Sequence, residues 1–285
     1  MTPHPPVTAV RAAVARALAE DLEPLGDVTA GLLSPGAQAR GVLVARSPGV
    51  VAGRIPAMEA FAQLDPSVEV TWRHDDGSQV AGGTTVAEVS GAAASVLTAE
   101  RTALNFLGHL SGIATLTRAF VEAAARGGPA RIWDTRKTTP GLRALEKAAV
   151  RAGGGANHRG NLSEWVLLKD NHLAGMGIAE AVARARDCWP ARPVEVEADR
   201  LYQLREAIAA GADLVLLDNM TPGEVVRCVA ERGDARRPLL EVSGGVTLEN
   251  VAAYAGTGVD LISVGALTHS APVLDVGLDI DVDTP

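Results

Sequence analysis

The stretch that decides the fold is Arg131–His172, which reads RIWDTRKTTPGLRALEKAAVRAGGGANHRGNLSEWVLLKDNH. It opens with a short apolar run, Arg131–Trp133, that ends in the charged cluster Asp134–Lys137. It closes with a second apolar run, Trp165–Leu168, that ends in the polar residues Lys169–Asn171. Strands that each end in polar residues are typical of the catalytic face of an α/β barrel. The stretch therefore predicts two parallel strands whose carboxyl ends carry a functional site.

The cations of this stretch indicate what the site binds. Arg136, Lys137, Arg159 and Lys169 all follow or lie between the two predicted strands, and we expect them to form a cationic bowl. The whole chain is acidic, with a formal net charge of −8. A nucleic-acid-binding surface would normally be basic, so the local cations favour a small anionic ligand over a polymer.

The composition is that of an ordinary globular protein. The 285 residues are enough for one large barrel or a barrel with a small domain, and 47% of them are hydrophobic. Cys188 and Cys228 have neither a metal-site nor a disulfide spacing, so we expect two buried thiols. The sequence MTPHPPVTAV lacks the pattern of a secretory signal, and no apolar run is long enough to span a membrane. We expect a cytoplasmic protein.

The second half of the chain alternates strand-like and helix-like segments. The pattern predicts parallel strands with right-handed crossovers, and hence an α/β barrel. A further strand near Gly155–His158 is ambiguous, so the barrel is expected to be incomplete. Six strands are predicted from 131 to 265, at 131–133, 165–168, 194–197, 214–217, 239–242 and 261–264.

The first half reads as a smaller α+β domain. Val7–Leu22 places apolar residues on one helical face, and short strand-like runs separated by Pro and Gly follow it. A long helical pattern, Ser95–Arg126, leads into the barrel. We predict a domain at 1–112 and a barrel domain at 113–271. The alternating tail 272–285 is expected to form a last strand that returns to the first domain.

Several motifs closely resemble the quinolinate phosphoribosyltransferase family. The resemblance implies an incomplete, seven-stranded barrel. It also implies transfer of phosphoribosyl from 5-phosphoribosyl 1-diphosphate to quinolinate, with decarboxylation to nicotinate mononucleotide, in NAD biosynthesis. The motifs are DTRKTTPGLR (Asp134–Arg143), GGGANHR (Gly153–Arg159), LKDNH (Leu168–His172), AERTALN (Ala99–Asn105) and GDVT (Gly26–Thr29).

The cationic bowl matches a pyridine dicarboxylate. Guanidinium groups bind carboxylates through two parallel hydrogen bonds and so fix the ring plane. The resemblance implies a homodimer, or a larger oligomer, in which Arg101 reaches the partner's site; a solvated helix arginine is the alternative. The residues assigned to this substrate are Arg101, Thr135, Arg136, Lys137, His158, Arg159 and Lys169. Lys147 is expected on a helix surface, and His109 in a packing role.

The last two strand ends suggest a phosphate site. Glycines let the backbone approach a phosphate closely, and barrels commonly bind phosphate at these junctions. The alternative is that the glycines serve only to reverse the chain. The residues assigned to the 5-phosphate of the ribosyl donor are Ser243, Gly244, Gly245, Val264, Gly265 and Ala266.

Glu197 and Asp218 end two neighbouring predicted strands. We expect these carboxylates to hold ribose hydroxyls directly, or through Mg²⁺ with or without bridging water. An ion pair of either acid with Lys169 is the alternative, while Glu195 lies on the same face one layer deeper. Together with Lys137 and Lys169, these two acids are the predicted catalytic residues.

Three other functions are compatible with parts of the pattern. A nicotinate phosphoribosyltransferase or a molybdenum-transport-associated paralogue would share the fold, although a single carboxylate needs fewer cations. A phosphosugar aldolase or isomerase would use Lys169 as a Schiff-base residue. A non-catalytic barrel would bind phosphorylated metabolites without turnover.

Overall fold

The structure is a computed structural model that describes residues 4–283, so that the first three residues and the last two lie outside the description. The chain divides into two compact units. The first unit comprises Met1–Arg118, Thr138–Gly154 and Leu267–Pro285, and the second comprises Ala119–Lys137 and Gly155–Ala266. The predicted domain bounds of 1–112 and 113–271 stay a prediction. Residues 138–154 group with the first unit.

The elements follow one another with short connections. Short 3₁₀ turns occur at Ala30–Leu32 and Asp170–His172. In chain order, the helices and strands are α1 (Val7–Leu22), β1 (Gln38–Ala45), β2 (Gly49–Val50), α2 (Arg54–Leu64), β3 (Glu69–Trp72), β4 (Gln79–Val80), β5 (Thr85–Ala92), α3 (Ala93–Ala125), β6 (Arg131–Trp133), α4 (Arg143–Ala152), β7 (Val166–Leu168), α5 (Ile178–Cys188), β8 (Val194–Ala198), α6 (Leu201–Ala209), β9 (Leu214–Asp218), α7 (Pro222–Arg232), β10 (Leu239–Ser243), α8 (Val251–Ala255), β11 (Leu261–Ser263), α9 (Ala266–His269) and β12 (Val276–Asp283).

An antiparallel sheet organises the first unit, with strand order β12-β1-β5-β3. The tail strand β12 pairs with β1 along its whole length, from Gln38↔Asp283 to Ala45↔Val276. The smaller pair β2–β4 is also antiparallel, and β4 was not predicted. Helix α1 has the predicted bounds, and its buried residues Val10, Val14 and Leu18 repeat at helical spacing.

A parallel sheet forms the second unit, with strand order β6-β11-β10-β9-β8-β7. Its interior is aliphatic, as a sheet covered on both faces requires. Val196, Leu217, Leu240 and Ile262 are all fully buried. Because the six strands run in one direction, their carboxyl ends meet at one edge. The predicted α/β class, with a parallel sheet and a separate N-terminal domain, is confirmed.

The ambiguous segment near Gly155–His158 contributes a single parallel bridge, between Trp133 and Ala156. Its two hydrogen bonds run from the Ala156 amide to the Ile132 carbonyl and from the Asp134 amide to the Ala156 carbonyl. The segment thus extends the sheet beside β6 by one residue pair. A seven-stranded barrel stays a prediction.

Two predicted environments are wrong. Cys188 is exposed at the end of α5, whereas Cys228 is buried as expected. Lys147 is buried on α4, because almost the whole of this helix is enclosed. His109 does pack, since its Nε2 lies 2.9 Å from the Glu146 carboxylate. Within residues 4–283, no helix combines the length and apolar character needed to cross a membrane.

Candidate active site

A cavity of about 310 Å³ opens at the carboxyl ends of the parallel strands. Most of the predicted site residues in the second unit meet there, although they come from strands spread over the whole sheet. The lining residues are Thr135, Arg136, Lys137, His158, Arg159, Leu167, Lys169, Glu197, Leu216, Asp218, Glu241, Ser243 and Ser263.

Four cations line this cavity, and we call Arg136, Lys137, Arg159 and Lys169 the cationic rim. Arg159 is only 7% exposed, and its Nη1 donates to the Trp165 carbonyl at 3.2 Å. Burial, reinforced by the like charge of Arg136, lowers the pKa of the Arg159 guanidinium from its ordinary value. Two guanidinium groups held together in a half-enclosed cavity are stabilised by an anion placed between them.

A buried aspartate fixes the segment that carries His158 and Arg159. Asp134 follows β6 and is fully buried. Its carboxylate accepts hydrogen bonds from the Asn157 side chain at 2.6 Å and from the His158 amide at 2.9 Å. The Asp of the DTRK motif therefore anchors the NHR motif, which explains why two distant stretches of sequence reach one cavity.

Carboxylates occupy the middle of the sheet edge. Glu197, near the end of β8, forms an ion pair with Lys169, so the alternative prediction of a lysine partner holds for this acid. Asp218 ends β9 and accepts a hydrogen bond from the Asn219 side chain at 2.7 Å. Both acids line the cavity. Their spacing on neighbouring strands leaves oxygen atoms that suit hydroxyl groups or a hard divalent cation.

The glycine turn after β10 is locked against the end of β9. Gly244 has φ +94°, and a Cβ on it would lie 2.2 Å from Asn219 Oδ1. The Asn219 amide donates to the Ser243 carbonyl at 2.8 Å. Any other residue at position 244 would be strained and would collide with this neighbour, so the turn requires glycine.

The predicted phosphate residues are only partly brought together. Ser243 lines the cavity, whereas Gly244, Gly245, Val264, Gly265 and Ala266 are not among its lining residues. The Val264 amide donates to the Trp133 carbonyl at 2.9 Å, because it continues the pairing of β11 with β6. This backbone donor is already engaged.

Two buried glutamates lie beneath the rim, and we call Glu195 and Glu241 the acidic floor. Both are fully buried. Their carboxylates approach His158 Nε2, at 3.3 Å for Glu195 and 3.8 Å for Glu241. Trp165 Nε1 donates to Glu195 at 2.8 Å, and the Ser263 hydroxyl donates to Glu241.

The floor is electrostatically unlike the rim. Burial, and then the negative charge of Glu195, raise the pKa of the Glu241 carboxyl well above its ordinary value. One nitrogen of His158 and one oxygen of each glutamate lie within 4.8 Å of one another, which is close enough to hold a metal ion or a proton. Trp133 and Trp165 enclose the His158 ring, with ring centroids 5.7 and 4.8 Å away.

Sequence reasoning missed four lining residues, and strand alternation contains the signal for three of them. Strand alternation is also the reason why the sequence predicts Glu195 one layer below Glu197. The same two-residue step back from a strand end leads from Asp218 to Leu216, from Ser243 to Glu241, and from Gly265 to Ser263. Leu167 needs the register of β7, which the sequence leaves open.

Arg101 lies on α3 in the first unit, and its side chain is exposed. The upstream GDVT motif is held to the same helix. The Asp27 carboxylate accepts from the amides of Thr29 and Ala30 and from the Thr98 hydroxyl, each at 2.9 Å. These contacts match the interpretation of Asp27 as a capping residue.

The fold and the cavity together define an α/β protein with a cation-lined cavity at the carboxyl ends of its parallel strands. Residues 27–111 match the N-terminal domain of quinolinate phosphoribosyl transferase, and residues 113–279 match its C-terminal domain. The chain belongs to the quinolinate phosphoribosyltransferase family.

Named relatives resemble nearly the whole chain. It is 47% identical to nicotinate-nucleotide pyrophosphorylase (carboxylating) of Mycobacterium leprae, over 95% of this chain and 97% of that one. It is 45% identical to the probable enzyme of that name from Bacillus subtilis, over 90% and 88% of the two chains. The solved nicotinate-nucleotide pyrophosphorylase from Francisella tularensis superimposes with a TM-score of 0.92, at 39% identity and 99% coverage of both chains.

Proposed function

We propose that this protein transfers the phosphoribosyl group of 5-phosphoribosyl 1-diphosphate to the ring nitrogen of quinolinate. Pyrophosphate leaves in this first step. The 2-carboxylate then leaves as CO₂, and nicotinate mononucleotide is the product. Membership of the family supports this activity, as does a cavity lined by four cations. We place the reaction in the cytoplasm, as one step of NAD biosynthesis.

The observation that carries the proposal is that Arg136 and buried Arg159 line one cavity, where burial, reinforced by the like charge of Arg136, lowers the pKa of Arg159. A pyridine dicarboxylate supplies two negative charges, one for each guanidinium group. Lys137 and His158 complete the set of donors around the ring, with Thr135 beside them. Ground-state charge repulsion is relieved when quinolinate binds, so the rim favours a dianion over a monoanion.

The phosphoribosyl donor occupies the opposite side of the cavity. Ser243 and the glycine turn at 244–245 hold the 5-phosphate, together with the segment Val264–Ala266. Loss of pyrophosphate develops positive charge at the anomeric carbon, and the Glu197 and Asp218 carboxylates stabilise that charge. Lys169 keeps Glu197 in place through their ion pair. No covalent enzyme intermediate is needed.

The donor set also fits Mg²⁺. Glu197 and Asp218 offer hard oxygen atoms on neighbouring strands, and a cation that keeps several waters needs few protein ligands. These two residues would hold the ion directly or through water. When bound, Mg²⁺ would neutralise the charge of the diphosphate leaving group.

The second step uses the positive charge created by the first. Once the ring nitrogen is quaternised, it accepts the electron pair released when the 2-carboxylate leaves. Lys137, Lys169 and His158 surround the ring and influence this step through their charge and hydrogen bonds.

Arg101 is proposed to complete the site of a partner subunit in a homodimer. Arg101 and Asn105 are one turn apart on α3 and both are exposed. Thr98, one turn earlier, bonds Asp27 in a segment whose Leu25 and Leu32 side chains are strongly exposed. A second copy that covers this apolar segment would face the same side of α3.

Subunit mixing tests the shared site. We expect Arg101→Ala to abolish activity without loss of folding, and Arg159→Ala to do the same. When the two inactive variants are mixed in equal amounts and allowed to exchange subunits, about a quarter of wild-type activity should return, because one of the two sites in each mixed dimer receives both intact arginines. If exchange is verified by size analysis and no activity returns, the shared-site dimer is wrong.

The activity itself is tested with purified protein, quinolinate, 5-phosphoribosyl 1-diphosphate and Mg²⁺. Pyrophosphate, CO₂ and nicotinate mononucleotide should form in equal amounts. Nicotinate in place of quinolinate should give little product. Efficient turnover of nicotinate would make the protein a nicotinate phosphoribosyltransferase. Trapping of Lys169 by borohydride with a carbonyl sugar phosphate would indicate a Schiff-base enzyme.

A further inference from the structure

Asn219 follows β9 in a backbone conformation that residues with a side chain rarely adopt. Its φ is +54°, and among residues 4–283 it is the one non-glycine residue with a positive φ. Asparagine tolerates this left-handed region better than most residues, but glycine adopts it without steric cost. Such conformations cluster at functional sites, where the surrounding structure maintains them. A side chain at position 219 is therefore expected to make contacts that glycine would lose.

The residues on either side hold Asn219 in this conformation. Asp218 pairs with Ser243 in the register of β9 on β10. Met220 is buried, and its carbonyl accepts a hydrogen bond from the Tyr254 hydroxyl at 3.1 Å. The chain is thus fixed one residue before and one residue after Asn219.

Asn219 contacts both a predicted ribose-binding acid and the glycine turn. Its side-chain Nδ2 donates to the Asp218 carboxylate at 2.7 Å. Its backbone amide donates to the Ser243 carbonyl at 2.8 Å. Its Oδ1 fills the space beside Gly244, where a Cβ on that glycine would collide with it. One residue therefore joins the end of β9 to the turn after β10.

The two predicted ribose-binding acids are oriented by different partners. Lys169 forms an ion pair with Glu197 and so places a positive charge beside it. Asn219 is neutral, and it orients the Asp218 carboxylate through a hydrogen bond without adding charge. A carboxylate that a neutral neighbour holds in one orientation suits the stabilisation of developing positive charge.

The phosphoribosyl donor needs the acid and the turn at a fixed separation, because its ribose ring sets the distance between the 5-phosphate and the ring hydroxyls. Asp218 and the turn at 244–245 are the groups assigned to these two parts. We propose that Asn219 is a positioning residue that holds Asp218 and the glycine turn in the relative placement that the phosphoribosyl donor requires. This inference rests on the proposed function. Asn219 acts through its neighbours and takes no part in bond breaking.

Asn219→Gly tests this assignment, because glycine adopts the same backbone conformation and removes only the side chain. Pyrophosphate release in the first turnover, measured by rapid quench, should slow about 10- to 100-fold, as expected when the partner that orients a functional group is lost. The KM for 5-phosphoribosyl 1-diphosphate should rise about tenfold. Quinolinate affinity, measured by calorimetric titration, should not change. The melting temperature should shift by no more than about 2–4 °C, the effect of one hydrogen bond.

Further variants separate the contacts of Asn219. Asn250→Ala removes the hydrogen bond of 2.9 Å from the Asn250 side chain to the Gly245 carbonyl, so it loosens the turn without touching Asp218. It should raise the KM for the phosphoribosyl donor and leave the first-turnover rate unchanged. Asn219→Ala should slow the first turnover as much as Asn219→Gly and should melt at a lower temperature, because alanine is strained at positive φ. Glu206→Gln, at an exposed acid on α6, should leave all these quantities unchanged.

The outcomes distinguish this assignment from the function on which it rests. If the wild-type protein releases no pyrophosphate in the presence of quinolinate, the proposed function is wrong and the assignment falls with it. If the wild type is active and Asn219→Gly keeps its first-turnover rate, only the assignment is wrong. An equal slowing in Asn250→Ala would also overturn it, because a loosened turn would then explain the loss. Weaker quinolinate binding in Asn219→Gly would do the same, because the whole site would then be disturbed.

Discussion

Four cations line the mouth of the cavity in the second unit, and two fully buried glutamates lie beneath it. At the rim, burial and then the like charge of Arg136 lower the pKa of Arg159. In the floor, burial and then the negative charge of Glu195 raise the pKa of Glu241. Like charges are therefore paired in both places, but they are relieved differently. The cations of the rim suit an anionic ligand, whereas burial in the floor favours the neutral form of Glu241.

This difference means that the rim and the floor contribute to different properties, the first to ligand binding and the second to the stability of the fold. An arginine cannot lose its proton at physiological pH, so Arg136 and Arg159 keep their positive charges before a ligand binds. A buried glutamate can take up a proton, and burial followed by the charge of Glu195 raises the pKa of Glu241, which favours its neutral form. Changes at the rim should therefore alter substrate affinity most, and changes in the floor should alter stability.

The largest effect is expected for Arg159→Ala. Loss of a buried, two-point carboxylate contact costs about 2–5 kcal/mol, which weakens quinolinate binding about 30-fold or more. The change relieves repulsion with Arg136 but removes the hydrogen bond to the Trp165 carbonyl, so its two effects on stability oppose each other. Calorimetric titration and thermal melting measure the two effects, with Arg126→Ala as an exposed control. A lower melting temperature with unchanged affinity would contradict the role given to the rim.

A smaller effect is expected on stability when Glu241 is replaced by Gln. A folded-state pKa raised above the ordinary 4.5 means that the folded protein binds more protons than the unfolded chain above that pH. Below that pH, the difference in free energy of unfolding between the wild type and Glu241→Gln should not change with pH. It should then fall as pH rises through the folded pKa, by at most about 1.4 kcal/mol per pH unit.

Denaturant unfolding of both proteins between acidic and neutral pH measures this difference. A difference that stays constant over the range would mean that Glu241 does not carry a proton in the folded state. Glu206→Gln should reproduce the wild-type curve, because that acid is exposed.

The smallest effect is expected for Trp165→Phe. Phenylalanine keeps most of the packing against His158 but removes the indole donor to Glu195. Leaving that carboxylate without its donor should destabilise the protein by about 1–3 kcal/mol and leave quinolinate affinity unchanged. Chemical unfolding with Trp189→Phe as an exposed control tests this. Equal losses in both variants would mean that the indole–glutamate bond is unimportant.

The rim could be predicted from sequence because its residues are charged and follow recognisable strands. The run at 131–133 is followed by Arg136 and Lys137, and the run near 165–168 is followed by Lys169. The cations at these strand ends can therefore be recognised in the sequence. The floor was harder to predict. Glu241 stands inside an aliphatic strand, and its importance depends on Glu195, which comes from the neighbouring part of the sheet with β9 between them.

The environments that were predicted wrongly share a physical cause. Cys188 and Lys147 each lie on a helix, and their burial depends on which side of that helix packs against the rest of its unit. Average residue preferences favour a buried thiol and an exposed ammonium group. Tertiary packing reverses both. The amide of Val264 is a similar case, because only the register of β11 on β6 reveals that it is engaged.

The most direct test of the central claim is calorimetric titration of the wild-type protein with quinolinate and, separately, with nicotinate. Two cations in repulsion should prefer the dianion, so we predict one quinolinate bound per chain with an affinity about tenfold or more above that of nicotinate. Equal affinity for the two ligands would contradict the claim that the rim is built for a pyridine dicarboxylate.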